Sequence, residues 1–224
     1  MEILSSYSKF VNEYLIRRTL SSLDYNTGKI VPSSHDVFKA FKLCPYDDLK
    51  VVMIGQDPYP QPKVATGLAF ANKKNSSFNG YNTDVLSSSL WVILQRLILD
   101  YNMTKEQVIK FDTTLEHWSK QGILLLNSSL TCKEWEPGSH SSIWYPFMCE
   151  FLRNLSGVNP GLIYVLFGEQ AKQLKPYIRN GHILEYKHPA YYSRLEKPME
   201  CDGFKKVNEI LKQQYNTKIN WYEE

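Results

Sequence analysis

The chain lacks any C-x-x-C pair. Its four cysteines, Cys44, Cys132, Cys149 and Cys201, are scattered, and no histidine stands at ligand spacing beside them. This spacing argues against a metal or iron–sulfur site and reads as reduced thiols in an intracellular, cytoplasmic protein. No apolar run approaches the about 20 residues of a membrane span. The N-terminal "MEILSSYSKFVNEYLIRRTL" mixes Glu2, Lys9, Glu13, Arg17 and Arg18 into an apolar pattern, so it has neither the layout nor the cleavage site of a secretion signal. Net charge is small too. A net charge of +3 is far below that of a histone-like binder and leaves both nucleic acid and small molecules open as substrates. No glycine-rich phosphate loop, Ser-His-Asp order or metal triad occurs anywhere.

What is present suits one α/β domain spanning residues 1–224. Hydrophobic residues make up 43% and aromatics 13% of the 224 residues, enough for a full core. Four apolar runs read as strands: "VVMIG" (51–55), "ILLLN" (123–127), "LIYVLFG" (162–168) and the weaker "HILEYKH" (182–188). Helical patterns lie at 86–101, 104–120, 143–155, 169–179 and 203–214, with Thr104 and Gln107 spaced as a capping box. Residues 1–27 carry a helical face of Phe10, Val11, Tyr14, Leu15 and Ile16, and "HDVFKAFKL" predicts a short helix ending before Pro45. The strands are continuously apolar rather than alternating. The expected architecture is therefore three-layer α/β/α around a central, mostly parallel four-stranded sheet.

Ligands of open parallel sheets sit beyond the carboxyl ends of the strands. The residues there are Gln56-Asp57, Asn127, Gly168-Glu169 and His188-Pro189, so an acid, a carboxamide and a histidine converge on one edge. Each also has a plainer reading. Asp57 could be a turn former, though Pro58, Pro60 and Pro62 stiffen its loop beyond a turn's needs. His188 could be a packing residue, but the following proline keeps it extended at the strand end; His140 in "PGSHSS" is the next candidate. Asn127 offers a donor and an acceptor side by side, suited to one edge of a base and equally to loop backbone. Tyr59 and Phe70 could be stacking platforms or core. These arguments stop at an α/β hydrolase-like site using one acid and one histidine.

Taken together, three segments resemble family 1 uracil-DNA glycosylases. "GQDPYP" (55–60) looks like the family's water-activating motif, "LLLNSSLT" (124–131) like its base-reading strand and "HPAYYS" (188–193) like its histidine–proline DNA-intercalation loop. Lesser matches follow in order: "VFKAF", "SL", "GSH" with Trp144, "FGEQAK" and "FKKVNEILKQQ…INW", so that the resemblance covers about residues 28–222. It implies a DNA-repair enzyme that flips uracil out of DNA and hydrolyses its N-glycosidic bond without metal or cofactor. By the same resemblance Asp57 stabilises the sugar cation and positions water, and neutral His188 donates to uracil O2 beside the backbone around Gln56. Phe70 stacks on the ring, Asn127 reads N3–H and O4, and Tyr59 excludes thymine's methyl group. The implied DNA-contacting set is Pro58, Ser89, Gly168, Glu169, Pro189, Ala190, Tyr191, Tyr192, Ser193 and Arg194. The implied partners are uracil-containing DNA, single- or double-stranded, and a proteinaceous inhibitor or replication partner; no membrane is implied, and the expected state is a monomer.

The departures from the family pattern lie on the DNA-gripping surfaces. Ala190-Tyr191-Tyr192 stands where the family has Ser-Pro-Leu, placing Tyr192 where a leucine fills the gap left by the flipped base. Glu169 replaces a phosphate-contacting serine, and "TDVLSSSL" (83–90) replaces a proline-rich loop with Ser87, Ser88 and Ser89. Lys63, Lys187, Arg194 and Lys197 are the candidates to compensate. The rival reading is a glycosylase fold kept as a DNA- or partner-binding module.

Overall fold

The computed structural model describes residues 2–25, 29–73, 78–80, 82 and 85–222. The main sheet is made of β2 (Val51–Gly55), β3 (Ile123–Asn127), β5 (Ile163–Phe167) and β6 (His182–Tyr186), parallel throughout in the order β3-β2-β5-β6. Every residue of β2, β3 and β5 is buried, whereas β6 is an exposed edge. This is why β6 alone carries His182 and Glu185 and was the weaker pattern in the sequence. Helices flank the sheet in the three-layer α/β/α arrangement. A second, two-stranded sheet pairs β1 (Ile30–Val31) antiparallel with β4 (Cys132–Lys133).

The helices are α1 (Glu13–Ser21), α2 (Lys39–Leu43), α3 (Ser88–Tyr101), α4 (Lys105–Ile109), α5 (Glu116–Lys120), α6 (Ser141–Val158), α7 (Glu169–Lys172), α8 (Pro189–Arg194) and α9 (Gly203–Tyr215). The Thr104–Gln107 capping box is formed. Two expected helices are corrected. The pattern at 104–120 is broken into α4 and α5, because the Asp112 carboxylate accepts from the Thr114 N–H at 2.9 Å, the Thr114 hydroxyl at 2.5 Å and the His117 N–H at 3.3 Å. That local network competes with helix, and Leu115 turns left-handed at φ 53° to start α5. The pattern at 169–179 stops after α7 and resumes as a 3-10 turn, Lys175–Tyr177. Pro176 cannot supply the N–H that a continuous helix needs.

Tyr7, Phe10 and Ile16 are buried in the same hydrophobic cluster as the sheet. The Tyr7 hydroxyl donates to the Cys44 carbonyl at 2.8 Å. All four cysteines are free and buried. Among the described residues no helix is long and apolar enough to cross a membrane, and no group of His, Cys, Asp and Glu could hold a metal ion.

Candidate active site

The carboxyl ends of β2 and β3 stay paired beyond the strands themselves. The Ser128 N–H donates to the Gly55 carbonyl at 3.0 Å, and the Gln56 carbonyl accepts from the Ser129 N–H at 3.1 Å and the Ser128 hydroxyl at 2.8 Å. This extension holds the start of the Asp57 loop against the end of β3. A cleft of about 450 Å³, including its open mouth, is lined there by Asp57, Pro58, Tyr59, Phe70, Ser89, Asn127 and His188, with residues 65–68 and Leu130 completing the wall. Residues from distant parts of the sequence are thus brought together by the strand ends.

Each polar group in the cleft has a definite state. The Asp57 Oδ2 accepts from the Gln56 amide at 3.0 Å, while Oδ1 is buried with no partner among the described residues. Burial pushes the carboxyl above its ordinary range; the Gln56 amide, which donates to it, and the nearby Gly138 N–H pull the other way. His188 is held neutral, its pKa lowered to about 4 by burial and then by the Arg194 charge. Its Nδ1 accepts from the Ala190 N–H at 3.2 Å. The proton of the neutral ring is therefore on Nε2, leaving that nitrogen a donor.

The aromatic residues are equally constrained. Phe70 is buried yet adopts a left-handed backbone, φ 66°. Its carbonyl accepts from the Tyr59 hydroxyl at 2.9 Å, and its ring meets Phe167 edge-on at 5.4 Å and His188 at 5.7 Å. A non-glycine residue held at positive φ inside a cleft marks strain kept for a purpose. Gly55 explains the spacing of this wall. A Cβ there would come within 2.7 Å of the Asn127 Oδ1 and 2.9 Å of the Phe70 ring. Gly168, at φ 88°, does the same for the histidine, since a Cβ would lie 2.9 Å from His188 Cβ.

The outer surface differs from expectation. Tyr192, expected to stand out as a wedge, is only 5% exposed, and its hydroxyl donates to the Glu200 carbonyl at 3.1 Å. Pro189 and Tyr192 lie one helical turn apart and form the buried face of α8, which packs on α3. The exposed aromatic is Tyr191, 36% accessible, with Lys187 Nζ 4.3 Å from its ring centre and 3.2 Å from its hydroxyl. Arg194 is exposed and Ser193 half-buried. Gly168 is buried, and Glu169 projects into solvent paired to Lys172 at 3.0 Å. Among the serines before α3, Ser88 is exposed whereas Ser89 is buried and lines the cleft; Thr83 and Asp84 of that loop lie outside the described residues. Lys63, Lys187 and Lys197 are all exposed.

His140 does not enter the cleft. It is buried, with Nδ1 2.9 Å from the Thr131 hydroxyl oxygen, which also accepts from the Trp144 indole at 2.7 Å. That segment instead brings the Gly138 N–H near the Asp57 carboxylate, where it favours the charged form. The Pro137-Gly138 pair was its one sequence signal, a tight-turn dipeptide whose partner lies far away in the chain.

This geometry coincides with a family match. Residues 41–212 match the family model described as Uracil DNA glycosylase superfamily. The chain belongs to this superfamily. It is 34% identical over 224 residues to a uracil-DNA glycosylase of Campylobacter jejuni, covering 99% of this chain and 86% of that protein. A uracil-DNA glycosylase of Coxiella burnetii is 34% identical over 198 residues, covering 87% of this chain and 81% of its own. Among solved structures, mimivirus UNG Y322F in complex with UGI superposes with a TM-score of 0.77 at 25% identity, covering 93% of this chain and 83% of that one. Superfamily membership and cleft agree on the same segments, since β2, β3 and β5 with their loops fall inside the matched span.

The neutral His188 has a consequence for stability. Its folded pKa of about 4 lies below the ordinary 6.5. Between those values the unfolded chain takes up a proton that the folded one refuses, so this group's contribution falls as pH falls from about 6.5 to about 4. Asp57 acts in the opposite sense, because its raised pKa lets the folded state take up the proton first. The comparison of wild type with His188→Gln isolates the histidine. Melting temperatures of the two should converge as pH drops through that window; a gap independent of pH would show that His188 is not held neutral.

Proposed function

We propose that this chain is a monofunctional uracil-DNA glycosylase: it excises uracil from DNA by hydrolysing the N-glycosidic bond, releasing the free base and leaving an abasic site for base-excision repair. The observation that carries the mechanism is a carboxyl with an unpartnered oxygen, Asp57, and a neutral histidine with a free Nε2–H, His188, lining one cleft. Breaking the bond leaves cationic character on the sugar and an anion on the base. Asp57 answers the first and orients the attacking water through its unpartnered Oδ1. The Nε2–H of neutral His188 answers the second by donating to uracil O2. Phe70 stacks on the flipped base, Tyr59 stands against C5, and Asn127 pairs with N3–H and O4; the backbone at Gln56 lies beside the base.

On the DNA side, Pro58, Ser89, Gly168 and Pro189 shape the mouth, and Ala190, Ser193 and Arg194 meet the backbone. The insertion role belongs to Tyr191 rather than Tyr192, supported by the exposure of the one ring and the burial of the other. Glu169 opposes phosphate at its helix end and marks where the grip has moved to the exposed lysines. We further propose that residues 1–224 act as one domain, with 1–27 a packed extension, supported by the burial of Tyr7, Phe10 and Ile16. The chain acts without metal or cofactor, as a monomer in the cytoplasm. A proteinaceous inhibitor docking over the cleft is supported by the superposed mimivirus enzyme, whose complex with UGI is known.

The test is incubation with single- and double-stranded oligonucleotides carrying one deoxyuridine, in EDTA, with alkali revealing abasic sites. Cleavage at uracil alone, not at thymine or cytosine, is the expected result. Absence of cleavage with DNA still bound would favour the binding-module reading. In the same assay Tyr191→Ala should lose about tenfold on duplex and less on single strands, as a stacking contact would. Tyr192→Phe, which removes only the bond to Glu200, should stay near wild type. Full duplex activity in Tyr191→Ala would return the wedge to Tyr192.

A further inference from the structure

Among the described residues Trp135 is the most exposed large hydrophobic apart from Tyr14, at 67%, and its backbone is left-handed at φ 65°. Neither packing nor turn chemistry asks for a tryptophan there; a glycine would meet the turn at no steric cost. The position is nevertheless firmly held. The Trp135 N–H donates to the Pro60 carbonyl at 2.9 Å, and Lys133 and Glu136 bridge across the turn. Before it, Cys132 Sγ reaches the Pro58 carbonyl at 3.5 Å, and after it the Gly138 N–H lies near enough to Asp57 to favour the charged carboxylate. The segment 132–138 thus runs along the whole Asp57 loop, with Trp135 at its tip. Three residues of chain separate Asp57 from Pro60, at most about 10 Å of extended backbone, or about three base steps of a DNA strand.

We infer that the Trp135 ring is a stacking platform for a nucleobase of the uracil-bearing strand, one to three nucleotides from the flipped residue. The inference rests on the glycosylase reading, because DNA must lie across this mouth for uracil to enter the cleft. The charges of the turn favour a base over a phosphate. Glu134 and Glu136 flank Trp135 in the sequence, and Lys133 is engaged by Glu136 at 3.8 Å. A turn built to grip phosphate would not present two carboxylates, whereas a ring face suits any base. The site is therefore sequence-tolerant, and its occupant is the unpaired or splayed strand beside the lesion.

Trp135→Gly and Trp135→Phe test this. Glycine relieves the positive φ, so its melting temperature should equal or exceed that of wild type, and any loss of DNA handling cannot be ascribed to misfolding. We expect Trp135→Gly to raise KM about tenfold on a long single-stranded deoxyuridine oligonucleotide, with kcat little changed. The loss should vanish on a substrate cut back to the uridine and its two phosphates. Trp135→Phe, which keeps a ring, should recover most of the affinity. The slope of log affinity against log salt should be the same in all three proteins, because no phosphate contact is removed. Uracil-free single strands should quench the tryptophan emission of wild type and not of Trp135→Phe, since Trp118, Trp144 and Trp221 are buried and Trp91 is half-buried. Wild-type KM in Trp135→Gly, or quenching that persists in Trp135→Phe, would overturn the platform while leaving uracil cleavage by wild type intact. Failure of wild type to cleave at all would instead remove the glycosylase reading.

Discussion

Asp57→Asn is expected to lower kcat on a deoxyuridine oligonucleotide by about 10²–10⁴-fold and, in the same protein, to raise the melting temperature. Both effects come from one cause. The carboxylate sits in a cleft where burial disfavours its charge, and Oδ1 has no protein partner. A folded-state pKa above the ordinary value means that the ionised group destabilises the fold at neutral pH. An amide of the same shape removes that cost, so the melting temperature should rise. In the proposed mechanism the charge is tolerated because it is worth more when the sugar becomes cationic. The loss should therefore fall on kcat, with KM changed little. The acid limb of the wild-type rate should lie above the usual carboxylate range, since protonating Asp57 mimics the mutation. Loss of activity with a lowered melting temperature would mean that Asp57 is a structural acid and the charge argument is wrong.

Asn127→Asp carries the second large effect. In the proposed role, the buried Asn127 amide at the end of β3 accepts from one uracil atom and donates to its neighbour; cytosine presents the reverse order. A carboxylate can only accept, so its second oxygen would face uracil O4. One lost hydrogen bond and one unpaired buried group at about 1–3 kcal/mol each put the fall in uracil kcat/KM at about 10²-fold or more. The preference for uracil over cytosine should narrow at the same time, most at low pH, where a protonated aspartic acid can donate to cytosine N3 and accept from its amino group. The amide has little freedom to evade this test, because it is packed so close to Gly55 that a single added Cβ would fall 2.7 Å from its oxygen. Unchanged uracil excision in Asn127→Asp would remove Asn127 from base reading. Parallel measurements on uracil and cytosine oligonucleotides supply both numbers.

The strands were readable as unbroken apolar runs because a parallel sheet covered on both faces leaves no solvent side to record. β6 was harder because it is the exposed edge. Asp57, Asn127 and His188 were legible as a group for the same reason, since strand ends of one parallel sheet share an edge. The extra break at 112–115 was hidden, because the apolar period continues through it while Asp112 diverts the backbone. Tyr192 misled for a different reason. Position in the motif says which residue aligns with a wedge, but not which face of a six-residue helix the packing against α3 buries.

From the sequence alone came the sheet, its functional edge and the chemical identity of the groups on it, because strand period and motif spacing are local properties of the chain. Tertiary structure decided their states. It buried Asp57 and His188 enough to push their pKa values toward one another's, and placed the histidine's proton on Nε2 through the Ala190 N–H. It strained Phe70, turned Tyr192 inward and left Trp135 exposed. Charge state, tautomer and exposure depend on which distant atoms come within a few ångströms, and no pattern within a single segment carries that information.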